Sequence, residues 1–211
     1  MTTETHTRFD TTFAAAPLVA ILRGLTPAEA PAIGDALVEA GFTLIEVPLN
    51  SPDPFDSIRI LVERIGDRAL VGAGTVLTSE DVGRVADVGG TLIVSPNTNT
   101  DVIRASVARG LISMPGYFTA SEGFAALAAG ATALKLFPAD GTTPAYLKAQ
   151  RAVLPKTTKM LAVGGITPEN MADWRAAGAD GFGLGSNLYR PGKSADAVAQ
   201  EARRYLSALK D

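Results

Sequence analysis

Two ionisable residues interrupt apolar runs. Lys135 lies in Ala-Thr-Ala-Leu-Lys-Leu-Phe-Pro-Ala-Asp, residues 131–140, and Glu46 in Leu-Ile-Glu-Val-Pro-Leu, residues 44–49. Short apolar runs of this kind read as buried strands, and Lys and Glu are among the residue types least often buried. A dry pocket favours the neutral form of a lysine, whose ordinary pKa is about 10.4. A neutral amine can attack a carbonyl and form a Schiff base, and the protonated imine then stabilises a carbanion beside it. A carboxylate within reach can move the protons. Plainer readings stand beside this one. Lys135 could be a strand-end lysine that snorkels to water. The two residues could also form a structural ion pair, whose desolvation offsets much of its attraction.

The rest of the composition narrows the chemistry. The chain has no cysteine and one histidine, His6, in a polar N-terminal stretch. A Ser-His-Asp triad therefore has no histidine in the body of the chain, and a zinc site of His and Cys has no ligands there. Acid–base and nucleophilic work falls to Lys, Glu, Asp or Tyr; an all-oxygen Mg²⁺ site stays open. Net charge is −3 and the sequence pI is about 5.2, with no cluster of Lys and Arg. Binding to nucleic acid or to an anionic membrane needs a basic footprint, so neither partner is expected. No apolar run approaches the ~20 residues of a membrane span. The N-terminus lacks a basic region followed by a sustained apolar one, so a cytoplasmic location is expected.

The residues must be positioned by the elements around them. Runs rich in β-branched and aliphatic residues read as strands at 17–23, 43–49, 69–74, 91–96, 111–115, 132–138, 159–165 and 180–186. Between them apolar residues recur at helical spacing, most clearly in 30–41 and 54–66. Many of these stretches end in glycine: Gly41, Gly66, Gly89, Gly110, Gly130 and Gly178. Thr26 with Glu29 and Thr119 with Glu122 have the capping-box form, while Ser51-Pro52 and Thr167-Pro168 have a cap followed by proline. Strict alternation of strand and helix implies a parallel sheet, either an open doubly wound one or a closed barrel. Eight units favour an α/β fold of the (β/α)8 TIM-barrel type, compact and a single domain. The expected division is a short N-terminal extension over 1–16, helical near 8–15, and a barrel over 17–211.

Alternation along the strands puts Lys135 on one face with Ala133 and Phe137, and Glu46 on one face with Leu44 and Pro48. Both residues come late in their strands. So do Arg23, Thr75, the Gly164-Gly165 pair and the Gly185-Ser186 pair. An open sheet would spread these features over roughly 30 Å, whereas closure gathers them around one mouth, where barrel enzymes keep their active sites. Glycine-rich loops after the last two strands suit a phosphate, and Arg23 or Thr75 could hold a carboxylate. Each feature alone has an ordinary reading as a cap, a tight turn or a surface residue. Together they describe a phosphorylated keto acid handled through an imine. No Gly-x-Gly-x-x-Gly is present, so a dinucleotide is not expected.

The segments Pro-Leu-Val-Ala-Ile-Leu-Arg-Gly, Glu-Val-Pro-Leu, Gly-Ala-Gly-Thr, Lys-Leu-Phe-Pro-Ala, Gly-Gly-Ile-Thr-Pro-Glu-Asn and Gly-Leu-Gly-Ser-Asn-Leu-Tyr run in order from residue 17 to about 190. In these the chain resembles the 2-keto-3-deoxy-6-phosphogluconate aldolase family of class I aldolases. The resemblance implies a (β/α)8 barrel assembled as a homotrimer, with no metal or cofactor. It implies Lys135 as the Schiff-base lysine and Glu46 as the acid/base. Thr75 would help bind the pyruvate-derived end, near Pro96 and Phe137, and Gly164, Gly165 and Ser186 would hold the phosphate, with Gly185 and Val163 among the substrate-binding residues. The gluconate branch usually carries arginine four residues after the glutamate, where this chain has Asn50, and threonine where it has Val163. Those positions, together with Arg23, resemble the 2-dehydro-3-deoxy-6-phosphogalactonate branch. The expected reaction is cleavage of that phosphorylated keto-sugar acid to pyruvate and D-glyceraldehyde 3-phosphate. The gluconate epimer is the alternative substrate, and a phosphate-binding barrel enzyme working without an imine, or a binding module without turnover, are more distant ones.

Overall fold

The computed structural model describes residues 4–210. Residues 1–3 of the expected extension and residue 211 lie outside the described residues. Nine strand segments form one sheet: β1 (Leu18–Ile21), β2 (Leu44–Pro48), β3 (Leu70–Gly74), β4 (Leu92–Val94), β5 (Ile112–Met114), β6 (Gly116–Tyr117), β7 (Ala133–Leu136), β8 (Lys159–Val163) and β9 (Gly181–Leu184). Their order is β5-β4-β3-β2-β1-β9-β8-β7-β6, and every pairing is parallel. The two ends of that row, β5 and β6, are consecutive pieces of chain separated by Pro115. They are one barrel strand, so the row closes on itself as an eight-stranded parallel barrel. The sequence reading ended this strand at Pro115. The chain instead passes through it, because a prolyl carbonyl can still accept: the Lys135 N–H donates to the Pro115 oxygen at 3.0 Å.

The helices surround the barrel: α1 (Glu4–Ala15), α2 (Ala30–Ala40), α3 (Pro54–Ile65), α4 (Ser79–Asp87), α5 (Thr100–Ala108), α6 (Ala120–Ala128), α7 (Pro144–Val153), α8 (Met171–Ala176) and α9 (Ala195–Ala208). The period-2 alternation of the strands sorts the apolar side chains into two cores. Val19, Ile21, Leu44, Leu70, Leu92, Val94, Ile112, Met114, Ala133, Leu161 and Val163 fill the barrel interior. The alternate residues, among them Ile45, Val47, Leu134 and Leu136, pack outward beneath the helices. Phe9 and Phe13 of α1 belong to the interior cluster, so α1 stoppers the end of the barrel where the strands begin. Lys159, which opens β8, pairs with Asp10 of α1 at 2.8 Å.

Some local signals resolve differently from their sequence reading. Thr119 and Glu122 make the full capping box at the start of α6. At Thr26, Glu29 reaches back to the Thr26 N–H and hydroxyl, but the regular helix begins only at Ala30. Ser51 does not cap α3, which starts at Pro54. Its hydroxyl accepts the Gly24 N–H at 2.9 Å and ties the loops after β1 and β2 together. Thr167 likewise precedes α8 without capping it, and its N–H donates to Asn170 Oδ1 at 3.0 Å. Five of the six helix-ending glycines have positive φ, whereas Gly66 stays right-handed at −64°.

Candidate active site

Glu46 and Lys135 point into the barrel from β2 and β7, as the alternation requires. They are 2% and 8% exposed, and among the described residues they are the only Asp, Glu, Lys or Arg that are buried. Together with Val19, Ile21, Val94, Met114, Leu161, Val163 and Gly183 they enclose a small void in the interior. Burial, opposed in part by the Lys135 and Arg23 charges, pushes the Glu46 carboxyl up to about 7. Burial also lowers the Lys135 amine. The Glu46 charge opposes that shift and Arg23 adds to it. The two residues form no ion pair within 4.0 Å, and Glu46 Oε2 is buried with no hydrogen-bond partner. A buried carboxylate oxygen is costly to leave unpaired. Lys135 Nζ lies 4.6 Å from the centre of the Phe137 ring, which shields its face without supplying an acceptor.

Directly above lies a cavity of about 410 Å³, which shares Ile21, Val163 and Gly183 with the void below. Arg23, Phe137, Val163, Gly164, Gly165, Gly185 and Ser186 all line it, so the closed sheet does bring these sequence candidates together. Gly164 and Gly165 follow β8 with φ of 113° and 65°. A side chain there would also run into Asp140, which packs against the pair. The N–H groups of Gly165, Ser186 and Asn187 donate no hydrogen bond among the described residues. Arg23 is exposed at the rim, where its Nη1 donates to Asn50 Oδ1 at 3.4 Å.

Thr75 and Pro96 are not among the residues that line this cavity. They lie just beyond the ends of the paired strands β3 and β4. Thr75 is a β-branched residue at φ 55°, a conformation that persists only where its surroundings enforce it. The enforcement is visible on both sides. The Gly74 carbonyl accepts the Leu49 N–H at 2.8 Å. Val76 donates its N–H to the Val94 oxygen at 3.2 Å and accepts the buried Ser95 hydroxyl at 2.8 Å.

Sequence reasoning missed several residues of the cavity wall. Gly24, Asn187, Tyr189, Arg190 and Pro191 line it, all from the loops after β1 and β9. Their only signal was proximity to a strand end, which surface loops share. For a metal, among the described residues no group of three His, Cys, Asp or Glu side chains is placed to hold one.

Fold and site together define a parallel (β/α)8 barrel with a buried amine and a buried carboxyl beneath a glycine-edged cavity at the mouth. Comparison with known proteins makes this specific. The chain belongs to the KDPG and KHG aldolase family, whose model matches residues 9–201. It is 54% identical over 192 residues to the probable 2-dehydro-3-deoxy-6-phosphogalactonate aldolase of Rhizobium meliloti, covering 91% of each chain. It is 51% identical over 195 residues to the 2-dehydro-3-deoxy-6-phosphogalactonate aldolase of Escherichia coli K12, covering 92% of this chain and 95% of that one. A solved structure described as native KDPGal superimposes with a TM-score of 0.91 at 51% identity, covering 92% of this chain and 94% of that one.

Proposed function

We propose that the protein is a carbon–carbon lyase, a class I aldolase that cleaves 2-dehydro-3-deoxy-6-phospho-D-galactonate to pyruvate and D-glyceraldehyde 3-phosphate. The observation that carries the chemistry is the isolation of one amine and one carboxyl group, without an ion pair between them, in an otherwise apolar interior. Lys135 Nζ, held toward its neutral form by burial, adds to the C2 ketone. Loss of water gives the iminium ion. Glu46 takes the C4 hydroxyl proton, the C3–C4 bond breaks, and its electron pair passes to the iminium nitrogen as an enamine. The C4 fragment departs as the aldehyde. Protonation of the enamine at C3, from Glu46, and hydrolysis of the imine release pyruvate and the free lysine. A carboxyl group near 7 suits both directions of proton transfer.

The glycine-edged loops after β8 and β9 suit the phosphate, and Arg23 at the rim suits an anionic group. Thr75, Pro96 and Phe137 are assigned to the pyruvate-derived end. Similarity above 50% to aldolases named for the galactonate epimer supports that substrate. Val163 in the cavity wall agrees with it, having no hydroxyl to offer a substrate hydroxyl. A homotrimer is the expected assembly. The cytoplasm is the expected place, since phosphorylated substrates do not cross membranes; among the described residues no helix is long and apolar enough to span one.

Borohydride reduction in the presence of pyruvate, followed by peptide mass spectrometry, tests the imine. One reduced pyruvate on Lys135 is expected, with none on Lys135→Met and no cleavage by that variant. Wild-type cleavage by Lys135→Met would end this mechanism. Rates on the two C4 epimers should favour the galactonate form.

A further inference from the structure

Gly74 ends β3 on its interior face, two residues beyond Gly72. Its φ is not in the left-handed region, so its backbone does not require glycine. What surrounds it does. A β-carbon built on Gly74 would fall within the Glu46 carboxyl group: Oε2, Cδ and Oε1 of Glu46 are its three nearest atoms. Gly72 and Gly116, also in strands, differ. At Gly72 the nearest atoms belong to the Leu92 backbone and at Gly116 to the Pro96 backbone and Asn97 N, so those glycines let two chain segments approach. At Gly74 only a functional side chain is in the way.

The register explains the arrangement. Glu46 pairs with Gly72 and Pro48 with Gly74. The glutamate side chain therefore extends one pleat toward the mouth and comes to rest in the space that a Gly74 side chain would fill. Oε2, the oxygen that lies closest to that space, is fully buried and has no hydrogen-bond partner. No donor fixes the carboxyl group through this oxygen. Shape does so instead: the vacancy at Gly74 admits it, and the apolar interior leaves it little other room.

We propose that Gly74 is a positioning residue for Glu46, and that its missing side chain is the seat in which the carboxyl group is held for proton transfer. This rests on the acid/base role given to Glu46 above. A residue larger than hydrogen at position 74 would lift the carboxyl group away from the reacting atoms while leaving Lys135 on β7 untouched. Misplacement of about 1 Å in a catalytic group can cost on the order of a hundredfold.

The test is a double-mutant cycle on cleavage rate, with borohydride trapping of pyruvate as the control. Gly74→Ala should lower kcat tenfold or more while still forming the reduced pyruvate adduct. The same substitution made in Glu46→Asp, whose carboxyl group is one methylene shorter and already withdrawn from the seat, should cost less than about threefold. The acid limb of the Gly74→Ala rate profile should also move to lower pH, as the displaced carboxyl group escapes part of its burial. Equal factors in both backgrounds would show that Gly74 acts independently of the carboxyl group, and the proposal would fall. If Gly74→Ala does not fold, Glu46→Ala/Gly74→Ala should restore folding, because the obstructing group is gone; failure to restore it would assign Gly74 a backbone role and overturn the proposal. Absence of the adduct in the wild type is a separate outcome, which defeats the imine reading itself.

Discussion

The Glu46 carboxyl group carries a stability cost that can be read apart from catalysis. In the fold its pKa is about 7, against 4.5 when unfolded. Between those values the folded chain keeps a proton that the unfolded chain has released. Stability therefore falls as pH rises from about 4.5 through 7, by about 3 kcal/mol at most. Lys135 runs the other way, because its pKa is lowered in the fold. Its contribution is full above the unfolded value of 10.5 and is lost as pH falls through the folded one. Glu46→Gln removes the first effect and leaves the amine. The melting temperature of the variant relative to wild type should therefore climb by several degrees between pH 5 and pH 8. Cleavage should drop by about 10²–10⁴-fold, while pyruvate is still reduced onto Lys135. A melting difference that stays flat across that range would mean Glu46 is not held near 7. These two residues were legible in the sequence because a charge within an alternating apolar run has few innocent explanations. The absence of an ion pair between them was not legible, since side-chain reach across a barrel depends on closure and register.

At the scale of elements, the mouth is built by loops that tie one strand end to the next. Ser95 is an example: it is 3% exposed at the end of β4, and its hydroxyl donates to the Val76 oxygen across the β3–β4 junction. It thereby holds the far side of the strained Thr75. Ser95→Ala leaves that carbonyl short of a donor, which costs about 1–3 kcal/mol. A melting temperature lower by roughly 2–10 °C is expected. The KM for substrate should rise more than kcat falls, because Thr75 is assigned to binding the pyruvate-derived end. An unchanged KM would detach Ser95 from the site. The eight strand–helix units and their closure followed from alternation and count. The two-part strand around Pro115 did not, because proline usually marks a strand's end and only the tertiary pairing shows its carbonyl at work. Ser51 misled for a related reason. A serine before a proline has the form of a helix cap, yet here its hydroxyl serves Gly24 of a neighbouring loop, a contact 27 residues away.

The surface of the whole barrel is uneven. The exposed large apolar side chains are Leu77 just before α4, Val107 in α5, Phe124 in α6 and Val153 in α7. Single exposed apolar residues are ordinary. Four on consecutive elements mark one arc of the ring of helices. Most ion pairs between elements lie elsewhere: Arg64 of α3 with Asp35 of α2, Arg204 of α9 with Glu169 before α8, and Lys159 of β8 with Asp10 of α1; Arg151 of α7 pairs with Asp180 before β9. The homotrimer proposed above would set one such arc on each copy against its neighbour in a closed ring. Light scattering on the purified protein should then give about 65 kDa, three chains of 21.8 kDa. Phe124 is 47% exposed in the single chain, so Phe124→Glu places a charge in water there at little cost to the fold. Between copies the same charge would be buried without a partner, which is expensive. The variant should run near 21.8 kDa with its melting curve still cooperative. A wild-type mass of one chain would dismiss the trimer, and a trimeric Phe124→Glu would move the contact to another face of the barrel.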